Sequence, residues 1–323
     1  MASLKWQGWK AGLLAGVLVM LAACVPVRVA PGEAVKTPVI EDGALIARDG
    51  ARLPVSRFVA ETPRAVIVAL HSFRDYRGAY DQLGPWFASR GIDLVAMDQR
   101  GFGEAPHRGY WAGEQAMLDD VRDLVAVINR EQPGLPVYLM GESMGGSVAL
   151  ALMGDGQAPA VAGLILAAPG VREGIPAKPF WDGALWLSER LAPGLTVPIR
   201  QDYDGVLAPE AVARFRDDPK VLRRIRTDTY VGLVWLAETA SRRADRVRVP
   251  MLVLYGKPDR TIRQEAICHL VRRHATGEVD LRIRDHWPYL LLHGPDREAV
   301  AGEILAWLDG ERSEYAVNRH CPA

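Results

Sequence analysis

Leu139-Met140-Gly141-Glu142-Ser143-Met144-Gly145-Gly146-Ser147 is the stretch whose reading decides the fold. The apolar run Val137 to Met140 leads into Gly-x-Ser-x-Gly, and an Ala/Leu-rich segment, Val148 to Met153, follows it. That order predicts a strand, a sharp turn and a helix, with Ser143 at the apex. Glycine at 141 and 145 leaves room where the strand and helix backbones nearly collide. The turn holds Ser143 in a strained conformation with its hydroxyl presented. The motif alone is weak: at ordinary Gly and Ser frequencies roughly one chain of this length in ten carries it by chance. The flanking strand and helix patterns raise its weight.

Working outward, apolar and amphipathic segments alternate. Ala65 to Leu70 (Ala-Val-Ile-Val-Ala-Leu) is a continuous apolar run that fits a strand buried on both faces of a parallel sheet. Ile92 to Met97, Val161 to Ala168 and Met251 to Tyr255 read the same way. Leu281 to Arg284 alternates, as an edge strand does. Ala44 to Ala60 holds two strand-like pieces around Asp49-Gly50, a hairpin signal. Tyr80 to Arg90, Gln115 to Arg130 and Pro295 to Leu308 read as helices, the second with Met117, Val121, Leu124, Val125 and Ile128 on one face. Strands alternating with helices predict an α/β fold with a mostly parallel, doubly wound sheet. Pro169 to Val249 breaks the alternation. Its length predicts structure of its own, with helices over Phe180 to Leu191 and Thr229 to Ala240.

The chain has 323 residues, is 49% hydrophobic, and carries 39 basic and 39 acidic residues. It can bury a large core, and the charge balance gives no hint of nucleic-acid binding. Three cysteines, at 24, 268 and 321, lack the number and spacing of a disulfide scaffold or a zinc site. No metal or organic cofactor is expected.

Lys5 and Lys10 precede the apolar run Ala11 to Ala23, too short for a spanning helix but suited to a signal peptide. The run ends in Leu21-Ala22-Ala23-Cys24, which resembles the lipobox of bacterial lipoproteins. The resemblance implies lipid attachment at Cys24 and a membrane-anchored envelope protein. Val25 follows the cysteine, and the absence of Asp there implies the outer membrane rather than the inner. The whole reading divides the chain into a signal peptide (1–23), a tether (24–40), a core from 41–169 and 250–310, a helical cap (170–249) and a tail (311–323).

Four further motifs stand in order with the first: Leu70-His71-Ser72-Phe73, Asp98-Gln99-Arg100-Gly101-Phe102-Gly103, Leu254-Tyr255-Gly256-Lys257-Pro258-Asp259, and the closing Ile304-Leu305-Ala306-Trp307-Leu308. Together they resemble the α/β-hydrolases of the monoacylglycerol-lipase and serine-aminopeptidase-like group over about residues 44 to 309. The resemblance implies a helical cap on an α/β-hydrolase core, a Ser-His-Asp triad and an acyl-enzyme.

A serine hydroxyl needs a base within hydrogen-bond reach, and the base needs a third group to fix its tautomer. In this fold the chain order is Ser, acid, His. Asp259, after the strand that follows the insertion, fits the acid. His71 and His107 precede the serine, His269 and His274 fall in a helix, and His320 is in the tail. Of His286 and His293, the position just after the last strand favours His286. Counting back from Pro295, the spacing usual in the family lands near Tyr289, which implies a loop longer than usual. The oxyanion donors expected are the backbone N–H groups of Met144 and Phe73. The family has His-Gly where this chain has His71-Ser72, and serine lacks the positive-φ freedom of glycine; its hydroxyl is a possible extra donor. Asp98 and Arg100 read as a turn-stabilising pair.

Phe180, Trp181, Leu185, Trp186, Trp235 and Leu236 make the insertion rich in large apolar residues, which favours a small-molecule or lipid acyl ester as substrate. Sealing the cap is an equally good use for them. Arg214, Arg216, Lys220, Arg223, Arg224 and Arg226 read as a solvated basic face or, on a membrane-tethered enzyme, as a face that leans on anionic lipid. Two other functions stay open: a peptidase of the same fold, and a non-catalytic envelope lipoprotein. A bond between Cys268 and Cys321 is possible in an oxidising compartment.

Overall fold

A computed structural model of the chain describes residues 29–173, 178–198, 207–274, 279–312 and 321. Cys24 and the apolar run before it lie outside those residues, as does His320. The described chain opens with β1 (Val39–Glu41), β2 (Ala44–Ile46) and β3 (Arg52–Phe58), an antiparallel meander. Asp49-Gly50 lies between the second and third, as expected. Asp42 and Gly43, both at positive φ (46° and 70°), turn the first hairpin by the same chemistry.

Next come β4 (Ala65–Leu70), β5 (Ile92–Met97), β6 (Val137–Glu142) and β7 (Gly163–Ala167). The insertion carries a small pair, β8 (Thr196–Pro198) and β9 (Arg224–Arg226), and the core resumes with β10 (Met251–Gly256) and β11 (Val279–Arg284). The nine-stranded sheet has the order β1-β2-β3-β5-β4-β6-β7-β10-β11. It is antiparallel as far as the β3–β5 pair and parallel from β5 to β11.

The period of two along each strand sorts the core into two layers. Val66, Val68 and Leu70 face the layer with α2 (Glu114–Glu131) and α3 (Met144–Met153), beside Val121, Leu124 and Val148. Ile67 and Ala69 face the other, with Phe87 of α1 (Leu83–Ala88), Ile304 and Trp307. Helices on both faces explain why every residue of β4 and β5 is buried. The α/β-hydrolase architecture expected from the sequence is the one observed.

Between β7 and β10, α4 (Lys178–Leu191), α5 (Pro209–Asp217) and α6 (Thr227–Arg243) form the insertion. α6 buries Val231, Leu236 and Ala240 and packs on α3. α4 buries only Glu189, while Phe180, Trp181, Trp186, Leu187 and Leu191 are exposed, Phe180 by 69%. α7 (Gln264–Arg273) and α8 (Arg297–Leu308) complete the core. Cys268 on α7 is bonded to Cys321, with 5.3 Å between their Cα atoms, so one residue of the tail is tied to the core.

Two expectations about charges need correcting. Arg214 is not on a solvated face: its guanidinium donates to both oxygens of the fully buried Asp75 at 2.6 and 2.7 Å. Asp98 and Arg100 do not pair with each other. Asp98 accepts from the N–H groups of Arg77 and Glu104, whereas Arg100 reaches Asp120 and Asp49.

Candidate active site

Parallel strands deliver their C-terminal ends to one edge of the sheet, where an α/β fold keeps its site. The loops after β4, β6, β10 and β11 converge there. Ser143 follows β6 at φ 51° and ψ −111°, a conformation that costs a side chain of order 1–3 kcal/mol. The surroundings hold it. Its N–H donates to the Ala167 carbonyl at 3.0 Å, and its own carbonyl accepts from Ser147 and Gly170 N–H at 3.0 and 2.9 Å. A Cβ on Gly141 would stand 2.3 Å from the Gly145 carbonyl carbon, and one on Gly145 would stand 2.2 Å from the Leu70 carbonyl oxygen. Only glycine permits this approach, and it brings the elbow against the end of β4.

The Met144 N–H opens α3, where no carbonyl of its own helix can reach it. It lies at the positive end of the helix dipole, the side on which a developing oxyanion is stabilised. Phe73 lies in the loop after β4, its ring edge-on to Phe102 at 5.6 Å. His71 anchors this loop: its Nδ1–H donates to the Ser72 carbonyl at 2.8 Å, and its Nε2 accepts from Gln99 N–H at 3.1 Å. Burial holds its pKa below the usual imidazole range, so it serves as a neutral strut. The residue at positive φ in this loop is Arg74 (75°), and Ser72 needs no glycine-like conformation. The Ser72 hydroxyl is buried without a hydrogen-bond partner.

Asp259 follows β10 and is 7% exposed. Its Oδ1 accepts from Thr261 and Ile262 N–H at 2.6 and 3.0 Å. Its Oδ2 is buried and has no hydrogen-bond partner among the described residues. Burial pushes its pKa up to about 6, against the two N–H groups that lower it.

His286 is not brought to the serine. It is exposed, and its ring stands edge-on to the buried Trp287, 6.5 Å between centroids. The side chain on Ser143 is Tyr289, whose Oη lies 2.5 Å from Oγ with either hydroxyl able to donate. The loop is therefore not the longer one expected: residue 289, six before Pro295, reaches the serine, and a phenol occupies the place where an imidazole was sought.

Three anchors set this position. Leu290 takes positive φ (59°) immediately after Tyr289. Leu292 N–H donates to Glu142 Oε1 at 3.0 Å. His293 Nε2 lies 2.9 Å from Glu142 Oε2, an ion-pair distance though not an aligned hydrogen bond, and 3.6 Å from Asp75. Burial opposes charge on His293, but the carboxylates of Glu142 and Asp75 outweigh it and raise its pKa. His293 thus anchors the loop from beneath. Leu207 of the insertion also bridges to Tyr289 as one parallel β pair. A cavity of about 300 Å³ is lined by Tyr76, Ala79, Ala211 and Leu292 as well as by Arg214, Asp218, His293 and Arg297, a mixed apolar and charged wall. No group of three or more His, Cys, Asp or Glu side chains among the described residues is placed to hold a metal ion.

The sequence signals for Tyr289 and Glu142 were present but faint. Counting back from Pro295 lands on the tyrosine, and Glu142 is the variable position of the serine motif.

Comparison with known proteins agrees with this architecture. A monoacylglycerol lipase of Mycolicibacterium smegmatis is 27% identical over 263 residues, 80% of this chain and 93% of the relative. A phospholipase of Bacillus subtilis is 27% identical over 254 residues, 77% of this chain and 97% of the relative. The crystal structure of a monoacylglycerol lipase from Paleococcus ferrophilus superposes with a TM-score of 0.67 at 22% identity, over 80% of this chain and 98% of that one. The profile of the family described as serine aminopeptidase, S33, matches residues 61–296. With the elbow and the sheet in place, this match shows that the chain belongs to the serine aminopeptidase S33 family and, with it, to the lipase- and esterase-like hydrolases of the α/β-hydrolase fold.

Proposed function

We propose that the chain hydrolyses carboxylic esters of hydrophobic acyl groups, monoacylglycerols among them, through an acyl-enzyme on Ser143. The observation that carries this is the strained elbow, which presents Oγ beside the first N–H of α3. Ser143 attacks the ester carbonyl, the N–H groups of Met144 and Phe73 receive the oxyanion, the alcohol leaves, and water releases the acid. The exposed apolar face of α4 supports a lipid substrate, because contiguous exposed aromatics on a cap suit a lipid surface. The relatives named as lipases support the same class. Cys24 is proposed as the lipid attachment site of an outer-membrane protein, on the strength of the preceding apolar run and Leu-Ala-Ala-Cys. The Cys268–Cys321 bond is compatible with such an oxidising compartment.

A panel of monoacylglycerols, short-chain nitrophenyl esters and aminoacyl nitroanilides tests the substrate class. Ester turnover that vanishes in Ser143→Ala is the expected result. Turnover of the anilides alone would make the chain a peptidase. For the anchor, Cys24→Ala is expected to move the protein from the membrane to the soluble fraction, and unchanged membrane retention would refute lipidation.

A further inference from the structure

We propose that Tyr289 is the catalytic residue that exchanges the Ser143 proton, in the place where the family has an imidazole, and that Asp259 is a carboxylate left without the histidine it would orient. This rests on the proposed ester hydrolysis at Ser143.

Three independent observations meet here. The first is contact: Tyr289 Oη lies 2.5 Å from Ser143 Oγ, whereas His286 is exposed on Trp287. The second is that the contact is built. Leu292 N–H and His293 both hold the loop on Glu142, the residue that precedes the serine, and Leu207 pairs with Tyr289 itself. The third is what is missing around Asp259. Its Oδ1 is satisfied by two N–H groups, while Oδ2 is buried with no hydrogen-bond partner among the described residues. A ring N–H would satisfy that oxygen and be fixed by it; a phenol on the serine, with a single polar atom already engaged, does neither.

The chemistry is balanced with protons alone. The reactive form is the phenolate. As the Ser143 Oγ–carbonyl bond forms, the Oγ proton passes to Tyr289 Oη. The same proton passes to the departing alkoxide as the ester C–O bond breaks, giving the alcohol and regenerating the phenolate. In the second half a water proton goes to Oη while the water oxygen attacks the acyl carbon, and Ser143 takes that proton as the acid leaves. The base is the ionised form, so turnover through it requires Tyr289 to give up its proton first and rises with pH. The titratable and charged groups on the loops that converge on the serine include His71, Arg74 and Asp75 after β4, Glu142 at the end of β6, Arg172 after β7, Lys257 and Asp259 after β10, and Asp285, His286 and His293 on the same loop.

The test uses the full-length protein, nitrophenyl butyrate turnover and fluorophosphonate labelling between pH 6 and 10. Wild-type kcat/KM is expected to rise with pH from 7 to 9. Tyr289→Phe, which keeps the ring and its packing, is expected to lower kcat at pH 9 by at least about 100-fold with KM within about threefold. Tyr289→His is expected to be faster than wild type at pH 7, with a plateau above about pH 7, and to lose more from Asp259→Asn than the wild type does. Full kcat in Tyr289→Phe, a wild-type plateau below pH 8, or loss of turnover in His286→Ala but not in Tyr289→Phe would overturn the assignment and leave the hydrolase reading standing. If neither wild type nor Tyr289→His labels or turns over ester while both melt cooperatively, both readings fall.

Discussion

The two sides of Ser143 are held in different ways. On the nucleophile side the structure is made of backbone: Gly141 against Gly145, Gly145 against the Leu70 carbonyl, and Ser143 N–H on Ala167. On the opposite side, the loop from Asp285 to Gly294 is placed by side chains from elsewhere, Glu142 above all, reaching residues 150 positions away. The first arrangement follows from a local pattern of small residues. The second requires particular partners to meet in space.

The difference is open to direct attack. The largest effect expected is from Gly145→Ala, whose Cβ would sit 2.2 Å from a backbone oxygen. It should cost about 4 kcal/mol or more in urea unfolding or prevent folding. Gly294→Ala in the facing loop meets the Ala208 Cβ at 3.2 Å and, at ordinary contact distance, Pro288 Cγ at 3.5 Å and Asp296 N at 3.9 Å, and should cost about 1 kcal/mol or less. Similar costs for the two would erase the contrast.

Glu142→Gln comes next. It strips the buried His293 of its nearest charge partner and should cost about 2–4 kcal/mol at pH 6, read by the same unfolding experiment. The folded state raises the His293 pKa. The stabilisation from its protonation is therefore complete below the unfolded value near 6.5 and is lost as pH rises through the higher folded value. The penalty of Glu142→Gln should accordingly shrink as the pH is raised well past 6.5, and a pH-independent penalty would argue against a charged His293.

Asp259→Asn should act in the opposite direction. The folded state raises this carboxyl to about 6, so its contribution is full below its ordinary value near 3.8 and is lost as pH rises through 6. Removing the charge should stabilise the protein by roughly 2–3 kcal/mol at pH 8 and by nothing measurable at pH 4. A loss of stability at pH 8 would mean that Oδ2 has a partner after all. The smallest effect is expected from Ser72→Ala. Deleting a buried hydroxyl without a partner should change stability by about 1 kcal/mol or less, in the stabilising direction, and turnover by under about threefold. A larger fall in kcat would make that hydroxyl an oxyanion donor.

Most of the fold was legible because its signals are local. The apolar runs of β4, β5, β6 and β10, the Asp49-Gly50 turn and the amphipathic α2 each announce themselves within a dozen residues. The elbow geometry at Ser143 was legible for the same reason, since two glycines and a strand-helix junction define it. The base was not. Order along the chain pointed to His286, but order does not say which residue of a ten-residue loop reaches the serine; the anchoring of Leu292 and His293 on Glu142 does. Arg214 was misread in the same way. On the sequence it belongs to a run of basic residues, and only the fold reveals the buried Asp75 beneath it. Side-chain pairs that close across the fold leave little trace in either partner's neighbourhood.

The central claim is that Ser143 is an acylating nucleophile, and intact-mass spectrometry after fluorophosphonate treatment tests it most directly. Wild-type protein at pH 9 should gain the mass of one phosphonyl group, and Ser143→Ala should gain none. A folded wild type that stays unmodified, or a Ser143→Ala variant modified to the same extent, would contradict it.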